Sequence, residues 1–453
     1  MSISYPTIYA LATAQGRAGI AVIRISGPAA ERALMKLAPN LVALPAPRYA
    51  QRLSLFETES NFDQSPVQID DALAVRFNGP NSFTGEDVVE LHVHGGHAVI
   101  SALMTSLSSI EGLRPAEPGE FSRRAFENGK MDLTAVEAIA DLVDAETSAQ
   151  RQQALTQMGG ALAKTYYGWR ERLVKAMAFA EASIDFSEED IPEDLSRQSL
   201  DALKVLAQEI REHLSDSNIG ERIRDGFRIA LTGAPNVGKS SLLNALAKRD
   251  VPIVSDIAGT TRDVIEVPMD LSGYAAVIID TAGIRESEDV IEREGVRRAL
   301  EQAASADLRL HLVDSVEAAE MAEHNPDTIV VMNKCDLLSN NDLGKALLGV
   351  HLLSIKMNDG LESLIVEMSE RISNQAAYRS KSSAPLTRAR HRHALEECVD
   401  ALDRAFVSAD AGADVEMMAE DVRVAAQALG RITGCVDVEE LLDRIFSDFC
   451  IGK

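Results

Sequence analysis

At 453 residues, 46% of them hydrophobic, the chain is long enough for about three domains and too apolar for a disordered polymer. Its 70 acidic against 45 basic residues leave a formal charge of −25, which excludes general nucleic-acid binding and confines any RNA contact to a local patch. No apolar run reaches membrane-spanning length, and residues 1–13 lack a charged stretch followed by an apolar one, so we expect a cytoplasmic protein with no membrane partner. Cys335, Cys398, Cys435 and Cys450 show no C-x-x-C spacing, which argues against a disulfide framework or a zinc site.

Taken in order, residues 1–119 read as mixed α/β. Strand patterns cover 19–26, 71–77 and 88–94, the last alternating apolar with polar residues, and a helix is predicted over 98–107. His92, His94 and His97 are close in sequence, but no acidic or cysteine cluster stands beside them, and Gly95-Gly96 reads as a turn into the helix. From 121 to 218 the pattern is helical: Ala135, Ala138, Ile139, Leu142 and Val143 form one stripe, and further stripes run through 155–180 and 200–214. Residues 219–377 alternate strand and helix, with strands over 227–231, 275–279, 308–313, 328–332 and 350–353, which predicts a largely parallel sheet wrapped by helices. Helical stripes resume at 385–453 and suggest one helical domain interrupted by an inserted α/β unit. The densest basic stretch is Arg379, Lys381, Arg388, Arg390 and Arg392, a solvated linker and helix start that is also the one candidate RNA patch.

The motif around which these elements are organised is Gly233-Ala-Pro-Asn-Val-Gly238-Lys239-Ser240-Ser241, a G-x-x-x-x-G-K-[ST] pattern between a strand and a helix. Such a loop turns its N–H groups, including those of Asn236, Val237 and Gly238, toward phosphate oxygens at the positive end of a helix. Lys239 is expected on the β/γ-phosphates and the Ser240 hydroxyl on Mg²⁺. Asp280-Thr281-Ala282-Gly283 ends a strand, which places the Asp280 carboxylate near the metal and the Gly283 N–H near the γ-phosphate. Between these motifs, Gly259-Thr260-Thr261 lies where Thr261 can reach the same metal. Asn333-Lys334-Cys-Asp336 ends another strand, and the Asp336 carboxylate matches guanine N1–H and the 2-amino group, which adenine does not offer. Together they predict a GTPase. Ile284 stands where small GTPases commonly place a water-orienting Gln, and no arginine finger is evident. Asn236, through a monovalent cation, and the carboxylates Glu286, Glu288, Asp289 and Glu292 remain candidates for that work.

The whole chain resembles the MnmE (TrmE) family of tRNA-modification GTPases. The resemblance is carried by Pro235-Asn236, Ile253-Val-Ser255-Asp256-Ile257-Ala258-Gly259-Thr260-Thr261-Arg262-Asp263, Asp280 through Arg285 and the C-terminal Phe449-Cys450-Ile-Gly-Lys453. It is carried also by Gly16-Arg-Ala-Gly19, Arg24-Ile-Ser-Gly27, Asn81-Ser-Phe-Thr-Gly-Glu-Asp87 and Pro118 through Lys130. It implies a tetrahydrofolate-binding-like α+β domain at 1–119 that also dimerises, a discontinuous helical-bundle domain at 120–218 and 378–453, and an inserted P-loop (Ras-like) α/β G domain at 219–377. K⁺ would replace the arginine finger, on Asn236, Ser255, Ile257 and Thr260. Glu292 would orient water, and Arg285 would serve the switch and catalysis. Ser354-Ile355-Lys356, where the family usually has Ser-Ala-Lys, would support guanine. Arg24, Glu90, Lys130 and Lys453 would bind a 5-formyl- or 5,10-methylene-tetrahydrofolate. The implied partners are a second copy of the chain, tRNA and an FAD-carrying flavoprotein resembling MnmG (GidA). Cys450 reads either as a seat for the tail or as a nucleophile for uridine chemistry. The reaction implied is carboxymethylaminomethyl-type modification of wobble uridine; the same motifs also allow an assembly switch, for instance in ribosome maturation, without folate chemistry.

Overall fold

In the computed structural model the described residues are 5–58, 66–185, 193–215, 217–248, 266–280, 306–338, 349–379, 385–411, 415–436, 439–447, 449 and 451–452. They fall into two units, Met1–Ala140 with Thr433–Lys453, and Asp141–Ile432.

In the first unit, alternation builds the sheet. Ala21, Ile23 and Ile25 of β2 (Ala18–Ser26) are buried on one face, while Val22 and Arg24 between them point to the other. With β1 (Thr7–Leu11), β3 (Gln51–Phe56), β4 (Gln68–Phe77), β5 (Val88–Gly95) and β6 (Leu113–Pro115) the order is β3-β4-β5-β2-β1-β6, and only the β1–β6 pairing is parallel. The helices Ala30–Leu37 and His97–Ser108 bury Leu34, Leu37, Leu103 and Leu107 with the inward residues of β2 and β5. On the other side the helix Glu120–Glu127 sends Phe121 against Ile8 and Ala10. Leu133 and Val136 meet Leu442, Phe446 and Phe449 from the end of the chain. The tail continues along β1: Ile451 bridges Pro118, and a Cβ on Gly452 would lie 2.2 Å from the Leu11 carbonyl.

The second unit holds the helical bundle and the α/β insertion. Leu173, Leu206 and Ile210 from the helices Ala161–Asp185 and Glu193–Ser215 share one core with Leu395, Leu402, Val422 and Leu429 from Ala389–Asp410 and Val415–Thr433. The stripe expected over 155–180 is two helices, Ser148–Met158 and Ala161–Asp185, because Gly160 adopts φ +81° between them.

The inserted sheet has the order β12-β11-β10-β7-β9-β8. Its strands are β7 (Phe227–Gly233), β8 (Glu266–Leu271), β9 (Tyr274–Asp280), β10 (Leu308–Val313), β11 (Thr328–Met332) and β12 (Val350–Leu352). Every pairing is parallel except β8 with β9, which turn through Ser272 and Gly273, both at positive φ. The Gly273 carbonyl accepts the Ala149 N–H at 2.9 Å, so this turn caps the first turn of the helix Ser148–Met158. Ile229 and Leu231 of β7 pack with Leu242 and Leu246 of the helix Lys239–Ala247 and with Leu364 and Met368 of Leu361–Arg379. That packing aims the carboxyl ends of β7, β9 and β11 at one edge of the sheet.

Candidate nucleotide site

β7 delivers the chain to that edge at Gly233, where φ is +131° and a Cβ would lie 2.2 Å from the Leu312 carbonyl of β10; only glycine fits. The loop leaves through Gly238 at φ +108° into the helix Lys239–Ala247, with Asn236 also at positive φ and exposed. Lys239 is buried, and its ammonium donates to the Gly233 and Ala234 carbonyls, each at 2.7 Å. The charge therefore sits inside the loop, where a polyphosphate would meet it. Ser240 donates its hydroxyl to Asp280 at 3.2 Å across the neighbouring strand end, an arrangement made possible by the β7–β9 register that pairs Leu231 with Asp280.

β11 supplies the other side. Asn333 is buried and donates from Nδ2 to the Val237 carbonyl at 2.8 Å, tying the two motifs together. Lys334 adopts φ +62° and donates to the Asn236 carbonyl at 3.1 Å and to Asp314 at 2.9 Å. Asp336 is exposed, and its Oδ1 accepts the hydroxyl of the buried Ser354 at 2.7 Å, which aims the carboxylate. Ile355 lends its N–H to Asn333 Oδ1 at 3.5 Å, and Lys356 is exposed beside it.

Two residues that sequence reasoning missed support this edge. Asp314 follows β10 as Asp280 closes β9, and an acidic residue at another parallel strand end was the available signal. His311 of β10 shares a 3.1 Å contact with Thr232 beneath the loop, and burial, then Arg309 and Lys239, push its pKa below the ordinary histidine value. Nothing in the sequence pattern pointed to it.

In the first unit Arg24 and Glu90 face each other across β2 and β5, with Nε to Oε1 at 2.9 Å. The Arg24 guanidinium lies 5.2 Å from the Phe83 ring centroid and 5.7 Å from that of Phe121. Lys130 donates to the Pro80 carbonyl at 2.7 Å. His94 is engaged by Asp70 at 2.8 Å. The expected basic patch is largely committed within the second unit: Arg388 pairs with Asp141, Arg392 with Glu221, and Arg390 donates to the Ile432 carbonyl. Ser255, Asp256, Ile257, Ala258, Gly259, Thr260, Thr261, Thr281, Ala282, Gly283, Arg285, Glu292, Cys450 and Lys453 lie outside the described residues.

Residues 7–130 match the family described as "GTP-binding protein TrmE N-terminus" and residues 133–450 the "MnmE helical domain". This chain belongs to the MnmE family. Proteins named tRNA modification GTPase MnmE are similar over almost the full length. That of Parvibaculum lavamentivorans is 50% identical over 450 residues, covering 99% of this chain and 100% of its own. That of Paramagnetospirillum magneticum is 52% identical over 455 residues, with 99% of both chains covered. That of Caulobacter vibrioides is 47% identical over 460 residues, again with 99% of both. The N-terminal match falls on the first sheet and its helices, and the helical-domain match spans the bundle helices and the parallel-sheet insertion.

Proposed function

We propose that this MnmE-family chain is a K⁺-stimulated GTPase that acts with a flavoprotein partner to build a carboxymethylaminomethyl-type group on C5 of the wobble uridine of tRNAs. One observation carries the hydrolase: Lys239, the Ser240–Asp280 pair and the Asn333–Asp336 segment converge at one sheet edge. Lys239 would exchange its two loop carbonyls for β/γ-phosphate oxygens. Ser240 Oγ and Asp280 Oδ2 are hard oxygen donors of the kind Mg²⁺ takes, and both would help hold it there. Mg²⁺, when bound, supplies charge neutralisation between the phosphates. Asp336, already oriented by Ser354, would select guanine.

K⁺ completes the site in this reading. It would neutralise charge that no arginine finger covers, held by Asn236, Ser255, Ile257 and Thr260, with Glu292 orienting the water and Arg285 serving the switch. Arg24, Glu90, Lys130 and Lys453 would hold the one-carbon donor, a 5-formyl- or 5,10-methylene-tetrahydrofolate. The paired, ring-flanked Arg24 guanidinium suits a ligand with both a planar ring and a carboxylate. Ile20 and Leu73 are exposed on the N-terminal sheet by 63% and 49%, apolar surface consistent with a homodimer formed there.

GTP turnover in KCl against NaCl at equal ionic strength tests the cation. A K⁺-specific gain that disappears in Asn236→Ala is expected; equal rates would remove K⁺ from the mechanism. Asp336→Asn should shift preference from guanosine toward xanthosine nucleotides, and an adenosine-preferring wild type would overturn the GTPase assignment. Labelled formyl-tetrahydrofolate, supplied with the flavoprotein and tRNA, should leave its label on the uridine. GTP turnover without that transfer would favour an assembly switch.

A further inference from the structure

Arg124 lies on the helix Glu120–Glu127 with its side chain 2% exposed, and a guanidinium that deep calls for protein partners, which its two terminal nitrogens have while Nε has no hydrogen-bond partner among the described residues. The answers come from separate segments. Nη1 donates to both Glu86 carboxylate oxygens at 3.2 and 3.0 Å, and Nη2 donates to the Pro6 carbonyl at 2.8 Å and to Glu120 at 2.9 Å. Glu86 also accepts the Ser26 hydroxyl at 2.7 Å, and Ser26 shares a further 2.7 Å bond with Thr84. Arg114 grips Glu120 from the other side through two bonds of 2.8 and 2.6 Å. Burial alone would push the Glu120 carboxyl up, but Arg114, the Glu117 N–H and Arg124 outweigh it and hold the pKa below the ordinary glutamate value.

The pair of buried Arg124 and partly buried Glu86 thus joins the 79–87 loop to the helix Glu120–Glu127, and Ser26 joins both to β2. Each of those two elements contributes one ring to the same guanidinium: Phe83 comes from the loop, Phe121 from the helix, and Arg24 stands two residues before Ser26 on β2. The ring contacts alone leave the spacing of the walls loosely set, whereas the charge-assisted bonds from Arg124 Nη1 to Glu86 and from Nη2 to Glu120 and the Pro6 carbonyl hold the guanidinium between the loop and the helix. The geometry points to Glu86 and Arg124 as positioning residues that set the spacing of the Phe83 and Phe121 walls around Arg24, and so the fit of the folate-type one-carbon donor there. This rests on the reading of Arg24 and Glu90 as part of the donor site.

The test is calorimetric binding of 5-formyl-tetrahydrofolate to the full-length protein. Glu86→Gln and Arg124→Lys should each weaken binding about tenfold, within the range seen for coupled neighbours. Glu31→Gln, which breaks the Arg76–Glu31 pair elsewhere in the same unit, serves as the control for general loosening and should leave affinity within about twofold, as expected for an uncoupled site. Equal losses in all three variants would overturn the inference. A double-mutant cycle with Phe83→Leu separates positioning from stability: if the pair acts through the ring, Glu86→Gln should add little in the Phe83→Leu background, and fully additive losses would overturn it. Should the charge variants fail to fold, Ser26→Ala removes the hydroxyl's bonds to Glu86 and Thr84 without touching a charge and should weaken binding about threefold, with unchanged affinity counting against the proposal. A wild type that binds none of this probe would overturn the donor-site reading itself, and that result appears before any variant is made.

Discussion

At the nucleotide site the decisive groups are main chain and strand ends, whereas the Arg24 slot is assembled chiefly from side chains drawn from Arg24 to Arg124. Lys239 and Asn333 bond carbonyls of the phosphate loop, and the loop's path is set by glycines at positive φ. In the slot, Glu86, Ser26, Glu120 and Arg114 hold one another, and two rings flank the result. A site made from backbone tolerates few substitutions at the turn positions. A site made from paired side chains is vulnerable at its charges.

Glycine replacements should show the largest difference. At Gly233 a Cβ would meet the Leu312 carbonyl at 2.2 Å, and backbone of a central parallel strand cannot withdraw. Gly233→Ala combines that clash with left-handed strain and should cost more than about 3 kcal/mol, enough to unfold the G domain. At Gly119, with φ +66°, the nearest atom to an added Cβ is the Phe446 ring carbon at 2.8 Å, followed by the Phe446 carbonyl oxygen and the Phe449 Cβ at 3.0 Å, which need give only a few tenths of an ångström. The ring sits at the end of a side chain and can move, so Gly119→Ala should cost about 1–2 kcal/mol, mostly for the left-handed backbone. Thermal unfolding of the two variants measures the gap; equal losses would mean that the strand packing around β7 is softer than its hydrogen bonds imply.

The next effect is on binding. Asn333→Ala leaves the buried Val237 carbonyl without its 2.8 Å donor and removes the acceptor for the Ile355 N–H. An unsatisfied buried group costs about 1–3 kcal/mol, so GTP affinity should fall by about five- to 150-fold with little change in folate binding. Arg24→Ala should do the reverse. Fluorescent-nucleotide titration alongside folate calorimetry checks both directions, and a variant that weakens both ligands together would show that the sites are coupled.

The same contrast decides what could be read from sequence. Strands β9 and β11 are continuous or nearly continuous apolar runs, β7 carries one over Ile229–Leu231 and β10 alternates Leu with Arg309 and His311, and the phosphate-loop and Asn333–Asp336 patterns stood out because backbone-built sites need fixed residue types at fixed spacing. β8 was missed although Val267, Met269 and Leu271 alternate inward, because Pro268 reads as a strand breaker; as an edge strand it tolerates the missing N–H. β1 is buried on both faces and shows no alternation, while β6 is three residues long and ends in Pro115. Arg24 and Glu90 were legible only through family resemblance. Glu86 and Arg124 look like ordinary surface charges until the fold brings residues 38 positions apart in the chain together. Lys334 with Asp314 is the same case on a smaller scale.

Acid titration should show the smallest effect and the finest separation between the regions. His311 has a lowered pKa from burial and from the nearby Arg309 and Lys239, so the folded G domain favours the neutral ring. Its contribution is complete above the unfolded histidine value of about 6.5 and is lost as pH falls through the lower folded value. Glu120 and Asp70 in the N-terminal domain also have lowered values: in each, burial works upward and is outweighed, by Arg114, the Glu117 N–H and Arg124 for Glu120, and by His94 and the Asp71 N–H for Asp70. Their contributions are complete above the unfolded carboxylate values of about 4 and vanish only as pH drops through the folded ones. Amide protection, measured against the intrinsic exchange rate at each pH, should therefore fall first in β7 and β10 and later in β2 and β5 as the pH is lowered from 7. His311→Gln should flatten the first phase and leave the second in place. If the strands of the first unit opened first, burial of His311 would not be the acid-sensitive element of the G domain, and the Thr232 contact would be holding a charged ring.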